Sequence, residues 1–125
     1  MLFTASLTIP ANTPVNVPLA QRIPVHAGTV RRVWVRWRWG TARLCGCRLL
    51  REESQVWPLT PQEWFYSSVY PVEFDEEYLI DKEPYYFDLE AYNEDDLFSH
   101  RLWVAIEVML EQETTASLQR VSIWT

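Results

Sequence analysis

The chain has 125 residues, 48% of them hydrophobic, and a net charge of −6. That is the length of one domain with enough apolar material for a core, which excludes a disordered chain. The acidic balance argues against a nucleic-acid backbone binder, and no apolar run approaches the roughly 18 residues of a membrane span.

The first predicted element is a strand over residues 2–9, where Phe3, Ala5, Leu7 and Ile9 share one face and Thr4, Ser6 and Thr8 the other. Residues 10–24 follow, spaced by Pro14 and Pro18. Proline removes ladder donors, so this segment is either an edge strand or an arm laid on a neighbour. The best-patterned strand covers residues 30–39. Val33, Val35, Trp37 and Trp39 line its core face, and Arg32, Trp34, Arg36 and Arg38 its outer face. Gly40-Thr41 reads as a hairpin turn into a partner strand over 42–51.

Residues 52–68 are the least regular and are expected as a long loop, with one helical turn after Thr60-Pro61. A short strand over 69–74, an acidic turn at Asp75-Glu76-Glu77 and an apolar stretch over 78–80 come next. Lys82-Glu83-Pro84 makes another turn. Phe87, Leu89 and Ala91 then alternate with Asp88, Glu90 and Tyr92, and 93–96 form a polar connection. The second strong strand spans 101–110, with Leu102, Val104, Ile106 and Val108 inward. A last strand is predicted over 119–124.

About eight strands at roughly ten-residue spacing imply a single all-β domain over 1–125. The expected architecture is an antiparallel sandwich, jelly-roll-like or Ig-like, with an extended N-terminal segment over 1–24. The opening MLFTASLTIP lacks a basic stretch followed by a long apolar one, so no secretion signal is read. The expected location is the cytoplasm or an assembled particle.

Few residues suggest chemistry. Cys45 and Cys47 lie two apart on one strand face, a geometry that disfavours a disulfide. Joining them with His26 or His100 gives no standard zinc spacing. Calcium is the one cofactor considered, at the acidic turns 75–77 and 94–96, against the simpler account of solvated carboxylates. Ser99-His100 are neighbours in sequence, which does not make a catalytic triad. No carboxylate pair stands out for glycoside hydrolysis. No enzyme is expected.

Aromatic residues and charge carry the functional expectation. There are seven Trp. Residues 1–51 hold eight Arg and no acid, whereas residues 52–125 hold all 17 acids. Either the two sets pair within the domain or they meet across copies, and Trp34 among the arginines favours the second. Trp, Tyr and Arg are the residue types of interface hot spots. The candidate interface residues are Arg32, Trp34, Arg36, Arg38, Trp57, Trp64 and Tyr66. The loop aromatics Trp57, Trp64 and Tyr66 have a second account, as a cap folded over an open end of the core.

A short all-β chain with a Pro-spaced apolar arm over 2–24, a Trp/Arg strand and acidic turns resembles the small β-sandwich virion proteins of tailed phages, of the decoration, cement or minor head type. The resemblance implies a structural subunit with no active site. Its partner would be itself, as a homo-oligomer such as a trimer, or a capsid lattice, with neither nucleic acid nor membrane bound. The alternative is a carbohydrate-binding module with Trp34, Trp57, Trp64 or Tyr66 as sugar platform.

Overall fold

The computed structural model describes residues 1–38, 41 and 43–110. Among them, nine strands and no helix form two antiparallel sheets: β1 (Leu2–Ile9), β2 (Leu19–Pro24), β3 (Gly28–Trp37), β4 (Cys45–Arg51), β5 (Ser54–Trp57), β6 (Phe65–Tyr66), β7 (Val72–Ile80), β8 (Tyr86–Asn93) and β9 (His100–Leu110). The first sheet runs β1-β9-β3-β7. The second runs β2-β8-β4-β5, with β6 also paired to β4. No helix of the described residues is long and apolar enough to cross a membrane.

The core lies between the sheets, where the in-phase apolar residues meet. Val33, Val35, Leu102, Val104, Ile106 and Val108 are all buried from the first sheet, and Leu49, Phe87, Leu89 and Ala91 from the second. The register of β3 shifts between Val30 and Arg32. This bulge lets Val30 and Val33 both point inward although they are three residues apart.

The first 24 residues form one edge strand of each sheet and the connection between them. β1 pairs with β9, and the Met1 amino group donates to the Val108 carbonyl at 2.7 Å. β2 pairs with β8 and ends at Pro24, where an edge position spares the missing N–H.

Four expectations are corrected. β3 and β4 lie in different sheets, so they are not a hairpin pair. Trp39 and Gly40 of that turn, and the strand expected over 119–124, fall outside the described residues. The long loop over 52–68 contains β5 and β6. After Thr60 there is a turn closed by the Glu63 N–H on the Thr60 carbonyl, and Gln62 has φ of 69°, which cannot continue a helix. Asp75-Glu76-Glu77 is the middle of β7, not a turn. Glu73, Asp75 and Glu77 point outward toward arginines of β3, and Glu76 points inward to accept the Trp57 indole N–H at 2.8 Å.

The strand register places the connections after β1, β3, β6 and β8 at one end of the sandwich. The turns after β2, β4 and β7 lie at the other. At that second end, Glu52 and Glu53 form the two-residue turn between Arg51 and Ser54, with φ of 54° and 66°. Such turns favour Asn-Gly, because both residues must take positive φ.

Candidate functional site

The outward face of the first sheet gathers four of the candidate residues. β3 is central, with β9 on one side and β7 on the other, so its outer residues meet both neighbours. Arg32 lies opposite Glu107 and Asp75. Trp34 lies opposite Ala105 and Glu73. Arg36 lies opposite Trp103, which in turn faces Ser6 of β1.

Two zones result. Around Arg32 the charges are answered within the sheet: it bonds Asp75 at 2.7 Å and approaches Glu73 at 3.3 Å, and Arg31 reaches Glu77 at 3.5 Å. The hydrogen bond that Arg32 donates to Asp75 and the acidic charges nearby raise the Arg32 pKa above its ordinary value. The expectation that these arginines meet acids of another copy therefore fails for Arg32, because β7 lies alongside.

Around Arg36 the charges are open. Its guanidinium stands 5.1 Å from the Trp103 ring, and neither Arg36 nor Arg38 forms an ion pair among the described residues. Between Trp34 and Trp103 runs a shallow groove of about 700 Å³, with Ala105, Thr4 and Ser6 along it and Pro71 and Glu73 across from them. A second hollow of about 440 Å³ shares Arg36, Pro71 and Trp103 and reaches Arg38 and Val69. Trp37 borders it from beneath, buried, with its indole N–H unpartnered among the described residues. A cationic, aromatic surface open to solvent suits an acidic or polar partner.

The other three candidates lie elsewhere. Trp57 ends β5 with only 1% of its surface exposed, among the rings of Phe74, Tyr78 and Phe87. It is a core residue and is corrected as an interface or sugar-platform candidate. Its apolar bulk fills the space between the sheets, and Glu76 satisfies its one donor. Trp64 is half-buried on the outside of the second sheet, edge-on to Tyr92 at 4.9 Å and beneath Arg48 at 4.3 Å. Tyr66 stands exposed beside it on β6.

The candidates drawn from the sequence did not include Trp103. The signal was available: once Leu102 and Val104 point inward, strand alternation sends Trp103 out. Pro71 carried no such signal, because only the start of β7 beside β3 brings it to the groove.

A buried polar cluster sits at the end of the sandwich where β8 leaves. The Asn93 side-chain amide donates to the carbonyls of Ile9 and Phe98, and its oxygen accepts from the Cys45 thiol and the Asp95 N–H. The Asp95 carboxylate accepts from the Leu97 and Phe98 amides and meets His100 Nε2 at 2.8 Å. These bonds, the Leu97 amide first, hold the Asp95 carboxyl below its ordinary pKa. Burial pushes the Cys45 thiol up to about 12 and raises Cys47 as well, so neither is a ready thiolate. Each group here ties the β8–β9 connection to a strand end. His100 is bound to Asp95, and Ser99 is exposed. Among the described residues, no three or more His, Cys, Asp and Glu side chains group to hold a metal ion.

Fold and site together define a class: a two-sheet antiparallel sandwich with a basic, aromatic groove on one outer face. No family model matches the chain, and no curated protein matches it either.

Proposed function

We propose that this protein is a non-enzymatic assembly subunit that self-associates through the outward face of its first sheet, as an accessory or decoration component of a virion-type particle. The observation that carries this is Arg36 beside Trp103 and Trp34 with no ion pair among the described residues, the nearby Glu73 being paired to Arg32. An exposed cation and two tryptophans on a rigid sheet are an unfinished contact.

The strand order supports a finer architecture. Apart from β4, β5 and β6, which share the second sheet, successive strands alternate between β1-β9-β3-β7 and β2-β8-β4-β5, which favours a jelly roll over an Ig-like sandwich. Jelly rolls recur in viral capsid and lectin domains. The lectin side has its own observation, since Thr4, Ser6 and Glu73 put hydroxyls and a carboxylate beside two Trp rings. A saccharide is therefore the second reading.

Native mass measurement over a range of concentrations separates them. The wild type should exceed one chain, and Trp103→Ala should reduce it to a monomer with unchanged circular dichroism. A wild type that stays monomeric, with glycan-array binding abolished by Trp34→Ala, would replace the assembly reading by the saccharide one. We expect no glycan signal.

A further inference from the structure

The assembly reading leaves open what fills the groove, and the far end of the molecule supplies an occupant. Glu52, Glu53, Asp81 and Glu83 are exposed in the two turns after β4 and β7, and none has a cation within ion-pairing distance among the described residues. Arg51 holds the two turns together. Its guanidinium donates to the carbonyls of Lys82 and Pro84 and to the Tyr78 hydroxyl, and it is nearly buried in doing so. The result is one acidic knob whose own arginine is turned inward. Lys82 is its single exposed cation. Leu79 and Tyr85, both exposed, flank it with apolar surface.

Groove and knob are complementary and lie at opposite ends. Arg36 and Arg38 stand toward the end where β3 finishes, and Arg101 is exposed there too. The knob stands where β4 and β7 finish. The knob and groove of one molecule stand apart, so a contact between these two surfaces joins two copies.

We infer that the acidic knob of one copy seats in the Trp34–Trp103 groove of the next, with its carboxylates on Arg36 and Arg38. Such a contact joins two different surfaces. It is head-to-tail, and it closes into a ring or continues as an array. Glu94 and Asp96, two further exposed acids, sit at the groove's own end of the sandwich. A contact made through them would need the second copy turned end for end, giving a two-fold dimer instead. The inference rests on the assembly reading and adds which surface the groove takes.

Two variants test it. The groove variant is Arg36→Ser with Arg38→Ser. The knob variant is Glu52→Asn, Glu53→Gly, Asp81→Asn and Glu83→Gln. Its first two changes install the residues that the positive-φ turn prefers, so it should fold at least as well as the wild type. Analytical ultracentrifugation should find each variant monomeric alone. An equimolar mixture should form a species of two chains and nothing larger, because one intact knob meets one intact groove and no second contact remains. Added salt should dissociate the pair. If the groove variant is monomeric but the knob variant associates like the wild type, the head-to-tail contact is overturned while the assembly reading stands. A groove variant that associates normally overturns both.

Discussion

Two arginine–tryptophan stacks stand on the two outer faces of this sandwich, and they have opposite outcomes. On the second sheet, Arg48 lies 4.3 Å from the Trp64 ring and pairs with Glu90 at 2.7 Å. Tyr92 packs edge-on against the same tryptophan, over Gly46 of the neighbouring strand. Charge and ring are both covered. On the first sheet, Arg36 lies 5.1 Å from Trp103 and has no ion pair among the described residues. The difference comes from one register position. Glu90 is directly opposite Arg48 across β4 and β8, whereas the residue opposite Arg36 across β3 and β9 is Trp103 itself. An identical pair of side chains is thus a closed clasp where the adjacent strand supplies an acid, and an open stack without an ion pair among the described residues where it supplies a ring.

Both faces rest on one core, and the largest effect comes from breaking that. Trp57→Ala removes the indole packed among Phe74, Tyr78 and Phe87 and takes from Glu76 Oε2 its indole donor. The expected loss is about 3–5 kcal/mol in urea unfolding, with both faces lost together.

Breaking only the closed face should cost less. A Cβ at Gly46 would run into the Tyr92 ring, against which Trp64 packs edge-on. Gly46→Ala should therefore destabilise by about 1–3 kcal/mol, without changing association through the first sheet. Equal loss of stability and association would show that the two faces are not independent.

Glu90→Gln sharpens the comparison, because it turns the closed stack toward the open one. The Arg48–Glu90 pair is a quarter exposed, so its removal should cost only about 0.5–1 kcal/mol, and less in high salt. Charge-neutral removal that costs several kcal/mol would mean the acid does more than balance Arg48.

The smallest effect concerns the polar latch at the end of the sandwich. The folded protein holds the Asp95 carboxyl below its ordinary pKa, so its contribution is fully present above the unfolded value. That contribution fades as pH falls through the lowered folded value. Urea midpoints followed from neutral to acid pH should drop less steeply in Asp95→Asn than in the wild type over that window. Parallel curves would remove Asp95 as a source of acid sensitivity.

Much of the fold could be read from side-chain alternation. β1, β3 and β9 each have one face toward the core and one toward solvent, so apolar and polar residues alternate along them. β4 could not be read this way. It is central, and Tyr92 and Trp64 cover its outer face, so burial on both sides removes the alternation. The acids of β7 misled for a different reason. Three in succession suggest a solvated turn, and only the arginines of β3 and the indole of Trp57 make them compatible with a strand. Of the site, Arg32, Trp34, Arg36 and Arg38 were legible as one face. The absence of an acid beside Arg36, and the presence of one beside Arg32, were not.

The sequence by itself determined that this is an all-β chain, which strand faces turn inward, and that basic residues come first and acidic ones later. Those properties are local, because they follow from period-two burial and from composition. Tertiary structure alone decided that β3 and β4 part into different sheets, that Trp57 is core while Trp103 is surface, and which arginines find acids. Those outcomes depend on which strands become neighbours and in what register. Moving the β4–β8 register by two positions would put the Tyr92 ring where Glu90 stands opposite Arg48, and no single strand's sequence encodes what will lie opposite it.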